Sequence, residues 1–454
     1  MNTVTKRAYV LLAVIVAFIA GVGILGASYV IEGGTWATSR VNSHLYSNGE
    51  IKNAGRILDR NGIVLAESKN GKRIFNSDKN IRKATLHAVG DTYGYIATGA
   101  HKLCRDKLTG YSFVDGIYKL INTGEGNDVT LTVDAELCSY AYKLMNGNKG
   151  AIGVYNYKTG EIVCMVSAPT YDPANKPDDI ETNEKYEAVY LNRLINGLFT
   201  PGSTFKTVTT VAAIENIENL GTREFECTGA LDTAQGGKII CNNTHKELGI
   251  GKAFTKSCNS VYAELGIELG KTVLTKTAKS MGFGKSYNIS GFSSAKSIFD
   301  LEDAVDIDIG WASIGQHTTL VNPLHMMMIA GSIASDGTTP VPYYINDTLK
   351  DAVGSISAER LIQQETAVQV KQMMCDNVTN NYGEKQFPGM KFGGKTGTAQ
   401  VKDKASHAWF MGFSSDADFP YAIVVVVENG GGGSDVAVPI ASKVMKELWN
   451  KTNG

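Results

Sequence analysis

The chain has 454 residues, with 44 Lys and Arg against 45 Asp and Glu, a formal net charge of −1. That balance leaves no basic footprint for nucleic acid, and 43% hydrophobic with 20% charged residues excludes a disordered chain. The length suits two or three domains.

The first feature is an apolar run from Ala8 to Ile31. As a helix it would measure ~36 Å at 1.5 Å per residue, enough to cross a bilayer. Lys6 and Arg7 precede it and Glu32 follows, so the positive-inside rule expects residues 1–7 in the cytoplasm. Residues 8–31 would be a single anchor, with everything after them outside the cytoplasm. A signal peptide has a shorter apolar core, although Gly26, Ala27 and Ser28 would permit cleavage.

Residues 32–146 are mixed and polar and are expected to form a small pedestal domain. Asn61-Gly62 signals a hairpin turn between short strands. Val129 to Asp134 alternates as a strand, and Asp134 is placed to cap a helix running through Met145. The large domain is expected over 147–454. Strands are expected at Ala151 to Tyr157 and Glu161 to Ser167, around a Lys158-Thr159-Gly160 turn that turn propensity explains fully. A mostly helical middle follows, from Pro201 to about Ser335. Strands return at Lys391 to Val401, His407 to Ser414 and Tyr421 to Glu428, and Pro439 to Leu448 closes as a helix. Strands at both ends with helices between them imply an α+β domain of α/β-type three-layer design, one central antiparallel sheet covered by helices. Gly430 to Gly433 reads as a loop, since no Lys-Ser/Thr follows it as in a phosphate cradle.

The chemistry concentrates in Thr200-Pro201-Gly202-Ser203-Thr204-Phe205-Lys206. Pro201 and Gly202 mark the turn into a helix, and on a helix positions i and i+3 share a face, so Lys206 can serve Ser203. A serine is a poor nucleophile until a base takes its proton. Burial and the positive end of the helix dipole both disfavour a charged lysine, which makes Lys206 a usable base. Ser257-Cys258-Asn259 and Lys395-Thr396-Gly397-Thr398 follow along the chain. Alone, the first of these would read better as a helix cap, and the second as a strand with a solvated lysine.

The ordered set Ser-x-x-Lys, Ser-x-Asn, Lys-Thr-Gly resembles that of penicillin-binding proteins and serine β-lactamases. Further segments resemble class B penicillin-binding proteins, the monofunctional peptidoglycan D,D-transpeptidases, in the small form without C-terminal repeat domains. They are Gly55 to Gly62 with Leu65-Ala66, Gly150-Ala151-Ile152 through Pro169, Trp311 to Gln316, and His407 to Phe413. Three positions depart from the pattern: Ala54 stands where the family has an arginine, Asn322 where it has threonine and His325 where it has glutamine. The histidine is expected on a core helix with no catalytic role.

The resemblance implies a serine β-lactamase/transpeptidase-like domain crosslinking stem peptides through a serine acyl-enzyme, acylated by β-lactams. Ser203 would be the nucleophile, Lys206 its base, Ser257 the proton relay and Lys395 a positive charge beside them. Asn259, Thr396, Gly397 and Thr398 would bind the donor, the two threonines its carboxylate and the glycine by letting the ligand approach closely. Backbone N–H groups of Ser203 and Thr398 would form an oxyanion hole, where losing one donor costs about 3 kcal/mol of barrier. Expected partners are peptidoglycan stem peptides, β-lactams and a membrane-embedded glycan polymerase; no cofactor is implied.

Two alternatives carry other chemistry: a class D-like β-lactamase, whose pattern is Ser-x-Val where this chain has Ser257-Cys258-Asn259, and a non-catalytic β-lactam sensor or scaffold. The seven cysteines, Cys104, Cys138, Cys164, Cys227, Cys241, Cys258 and Cys375, contain no Cys-x-x-Cys, so no zinc site is expected. Cys227 and Cys241 read either as a disulfide in an oxidising compartment or as plain thiols.

Overall fold

A computed structural model of the chain describes residues 3–39, 46–47, 50–51, 53–111, 126–234, 236–346, 358–383 and 386–453. Its first element is the helix Thr3–Ala37. Within it Thr3–Tyr29 has a mean hydropathy of 2.8 and none of its most apolar window is buried in the protein. A helix of this length and composition is able to cross a membrane.

A mixed five-stranded sheet follows, in the order Ile345–Asn346, Val129–Leu131, Ile57–Leu58, Val64–Lys69 and Lys72–Phe75. The Asn61-Gly62 turn joins Ile57–Leu58 to Val64–Lys69, with Ile57 opposite Ala66. Asp59 shapes it: its Oδ1 accepts from the N–H of Asn61 and of Ile63, both at 2.8 Å. The other carboxylate oxygen accepts from Ala135 N–H at 3.0 Å, at the start of the helix Ala135–Leu144. Asp134 caps that helix through Leu137 N–H at 2.8 Å. The sheet's edge strand, Ile345–Asn346, comes from more than 200 residues further along the chain and pairs with Leu131 and Thr130.

The larger sheet is antiparallel throughout, in the order Phe392–Val401, Lys404–Ser414, Tyr421–Val427, Gly150–Asn156, Ile162–Ala168. The N-terminal pair of strands therefore closes one side and the C-terminal three the other. Helices Pro323–Ala334 and Val438–Asn453 pack against Tyr421–Val427, and Ala422 to Val427 are all fully buried, so both faces are covered. This explains strands that read as continuous apolar runs, with no polar face. Pro323–Ala334 is buried along its whole length, capped by Asn322 and started by Pro323. His325 lies on it, its ring between Ser297 Oγ and Met281 O at 2.8 Å each, and burial lowers its pKa to about 4.

The middle of the chain differs from the helical expectation. Helices Lys206–Asn216 and Asn259–Ser280 are there, but between them Glu224–Cys227 pairs with Lys246–Gly249 and Ala230–Asp232 with Lys238–Ile240. Alternating burial along Glu224–Cys227 and left-handed φ at Gly229, Gly236 and Gly237 make this a stack of two short hairpins. The helix Gln364–Asn377 is also additional to the expected elements.

Among the ion pairs that link the surroundings of the two sheets is that of Arg82 with Asp172. Arg82, on the helix Lys79–Ala84, donates from Nε and an Nη to the two oxygens of Asp172, both at 2.7 Å. This fork-to-fork geometry holds Asp172 below its usual carboxylate pKa, chiefly through the Arg82 hydrogen bond. Arg82→Ala should cost about 2 kcal/mol of stability, the worth of a hydrogen bond to a charged group. Because the folded-state pKa is depressed, that contribution is present above the ordinary carboxylate range and disappears as pH falls through the lowered value. Thermal unfolding of both proteins in detergent across acid pH checks it: their difference should shrink towards zero at the acid end.

Candidate active site

Ser203 sits in a 3₁₀ turn, Gly202–Phe205, that leads into Lys206–Asn216. Gly202 takes φ +54°, and a Cβ there would come 2.8 Å from Thr398 O. Across the contact, a Cβ on Gly397 would come 2.5 Å from Pro201 O. The two glycines thus let the serine turn lie against the edge strand Phe392–Val401. At Gly397 the missing side chain makes room for the Pro201 backbone, a different use from the ligand approach expected of it. Trp409, fully buried on the neighbouring strand, fixes the same turn by donating from Nε1 to Thr200 O at 3.0 Å.

Lys206 is fully buried, and its Nζ donates to Ser257 O at 2.5 Å, Ser257 Oγ at 3.1 Å and Asn259 Oδ1 at 2.7 Å. Lys395 is also buried, at 1% exposure, and its Nζ donates to Ser257 Oγ at 3.0 Å and to Thr396 O at 3.2 Å. One hydroxyl therefore meets two lysine side-chain nitrogens. Burial lowers both pKa values, Lys395 to about 7 and Lys206 well below its ordinary value; for Lys206 the nearby Lys395 charge adds to the effect. Two cations this close in a dry setting cannot both hold their protons cheaply. Both shifts favour the loss of a proton from the pair.

Ser257 is held at φ +53°, a strained conformation for a serine. Its side chain does not cap a helix; Cys258 is the N-cap residue of Asn259–Ser280, without a side-chain cap bond. The Asn259 amide is engaged at both ends, by Lys206 and by donation from Nδ2 to Ile240 O at 2.9 Å.

Thr396 and Thr398 alternate along the edge strand onto one face, half-buried and exposed respectively, while Lys395 and Gly397 are buried. Ser203, Ser257, Asn259, Lys395, Thr396 and Thr398 all line one cleft of about 540 Å³. All the side chains singled out in the three motifs border it, Lys206 excepted, which lies beneath the floor. The Lys158-Thr159-Gly160 turn is elsewhere, with Lys158 Nζ on Ala417 O at 2.7 Å.

Other residues at or behind the cleft carried no signal in the sequence. Tyr382 OH meets Thr396 Oγ1 at 2.8 Å, and Asn377 Nδ2 donates to Gly394 O at 2.7 Å, bracing the edge strand from behind. The glycine run read as a loop ends against the site, where Gly433 N–H donates to Thr398 Oγ1 at 3.2 Å. All seven cysteines are free thiols, so Cys227 and Cys241 form no disulfide.

Residues 150–446 match the family model described as the penicillin-binding protein transpeptidase domain. Peptidoglycan D,D-transpeptidase PbpA of Mycolicibacterium smegmatis is 28% identical over 355 residues, 69% of this chain and 71% of that protein. Stage V sporulation protein D of Bacillus subtilis is 30% identical over 353 residues, 71% of this chain and 53% of that protein. Penicillin-binding protein A from M. tuberculosis, solved as a ceftriaxone acyl-enzyme complex, shares the fold with a TM-score of 0.76 at 23% identity, over 87% of this chain and 98% of that one. These likenesses do not favour the hydrolase or sensor alternatives. The chain belongs to the penicillin-binding protein transpeptidase family, as a class B penicillin-binding protein and peptidoglycan D,D-transpeptidase.

Proposed function

We propose that Ser203 is the nucleophile of this transpeptidase and Lys206 its general base. The observation that carries the reading is the pair of buried lysines meeting on Ser257 Oγ. Neutral Lys206 takes the Ser203 proton as Oγ attacks the penultimate D-Ala carbonyl of a stem peptide. That proton passes through Ser257 to the departing D-alanine nitrogen, so the acyl-enzyme forms without net proton change. A second stem peptide's amine then attacks the ester, and the proton path runs in reverse. Charged Lys395, with the hydroxyls of Thr396 and Thr398, holds the terminal carboxylate. Asn259 bonds the donor backbone, and the N–H groups of Ser203 and Thr398 receive the oxyanion. β-Lactams would acylate the same serine and stay, since the expelled ring nitrogen takes the proton but remains tethered to the acyl group and cannot make way for the acceptor.

Residues 8–31, within the helix Thr3–Ala37, are read as the single membrane anchor, with residues 1–7 cytoplasmic and the cleft outside. Residues 32–146 would act as the pedestal and 147–454 as the penicillin-binding domain. A membrane-embedded glycan polymerase would supply the strands to be crosslinked, meeting this protein through anchor and pedestal; failure of the two to co-purify from detergent would count against it.

Fluorescent penicillin should label the wild-type chain in a long-lived adduct and leave Ser203→Ala unlabelled, while rapid turnover of the drug would defeat the transpeptidase reading. Lys206→Arg, which keeps charge but cannot act as base, should slow acylation about a thousandfold. The second-order acylation constant should rise with pH as Lys206 loses its proton and fall again as Lys395 does, near pH 7. In Lys395→Arg the alkaline fall should vanish, because guanidinium stays charged. An identical alkaline limb in both proteins would remove Lys395 from the carboxylate-binding role.

A further inference from the structure

Beside the cleft, four side chains converge that the transpeptidase reaction does not use. Cys227 ends the strand Glu224–Cys227, Cys241 follows Lys238–Ile240, His245 precedes Lys246–Gly249, and Cys258 is the middle residue of Ser257-Cys258-Asn259. Their ligand atoms, three Sγ and one Nδ1, all lie within 4.8 Å of one another. His245 Nδ1 is 3.6 Å from Cys227 Sγ and 3.5 Å from Cys241 Sγ, and Cys241 Sγ is 3.7 Å from Cys258 Sγ.

Those separations have a simple meaning. With zinc bonds of about 2.3 Å to sulfur and about 2.0 Å to nitrogen, tetrahedral ligands stand about 3.8 Å apart for two sulfurs and about 3.5 Å for sulfur and nitrogen. A disulfide would instead bring two sulfurs to about 2 Å, and none of the pairs is so joined. The ligand set is also closed: three thiolates and an imidazole fill four positions, as in structural rather than catalytic zinc sites. Its surroundings match a thiolate site, since Asn259 N–H donates to Cys241 Sγ at 3.2 Å, an outer-shell bond that holds a ligating sulfur. The spacing Cys-x13-Cys-x3-His-x12-Cys lacks the paired cysteines by which such sites are read from sequence, which is why none was expected.

We propose that Cys227, Cys241, His245 and Cys258 bind one structural zinc ion that positions Ser257 and Asn259. On binding, the three thiols release their protons to solvent and His245 ligates as neutral imidazole through Nδ1. The two strand pairs between 224 and 249 are only three or four residues long, and the ion would pin both to the N-terminus of Asn259–Ser280. Cys258 is bonded to both catalytic neighbours through the backbone. Fixing its sulfur therefore fixes the strained Ser257 and the Asn259 amide that face Lys206. This consequence for catalysis rests on the proposed roles of Ser257 and Asn259; the metal site itself does not.

The full-length chain, purified in detergent under reducing conditions, should carry one zinc per molecule by elemental analysis. Stripped by chelation, it should lose at least tenfold in its rate of labelling by fluorescent penicillin and regain it with zinc alone. Cobalt added to the stripped protein should give the intense thiolate-to-metal charge-transfer bands of a tetrahedral three-sulfur site. Cys227→Ser and His245→Ala should lose stoichiometric zinc, while Cys375→Ser, outside the cluster, should keep it. Ser203→Ala should bind zinc fully yet take no label, which separates the metal site from the acylation chemistry. If folded, reduced wild-type protein neither carries nor takes up zinc or cobalt, or if thiol counting finds Cys241 and Cys258 joined as a disulfide, the site does not exist. If zinc binds but labelling is the same without it, the positioning role is wrong.

Discussion

Two lysines buried within reach of one hydroxyl set the terms for the rest of this molecule. An ammonium ion taken out of water costs several kcal/mol even after relaxation, and a second one alongside multiplies the difficulty. The protein meets it with hydrogen bonds from both sides of Ser257 and with Asn259 and Ser257 O around Lys206. What remains is relieved by releasing one proton. Everything that brings the serine turn, the edge strand and the start of Asn259–Ser280 together therefore serves to keep a costly arrangement in place. The close glycine contact, the Trp409 anchor and the strained Ser257 are parts of that support.

Much of this was legible in the sequence. The turn that carries Ser203 into the helix beginning at Lys206 was legible because Pro201-Gly202 marks where the chain changes direction. Asn61-Gly62 gave its hairpin for the same local reason, since few residues accept left-handed φ as Gly62 does at +83°. The strands of the large sheet stood out because burial on both faces demands unbroken apolar runs, as in Tyr421–Val427.

What sequence withheld depends on contacts made at long range. Gly397 looked like a concession to a ligand, and only the approach of Pro201 reveals that it accommodates the protein's own backbone. Tyr382 and Asn377 brace the edge strand from a helix and its C-terminal turn, with no motif to mark them. The hairpins between 224 and 249 were hidden by their brevity, and with them the gathering of three cysteines and a histidine. In each case the governing quantity is a distance across the fold, which local periodicity cannot carry.

The edge strand Ile345–Asn346 has a bearing on how the chain must assemble. The smaller sheet cannot complete its hydrogen-bonded ladder until residue 346 is available, although its other strands lie before residue 132. During synthesis the early strands therefore wait with Val129–Leu131 lacking its outer neighbour, a sticky margin for any passing chain. The two regions are consequently one folding problem rather than two in series. Dividing the polypeptide between them would leave the first part with an open border and the second with an orphaned ribbon.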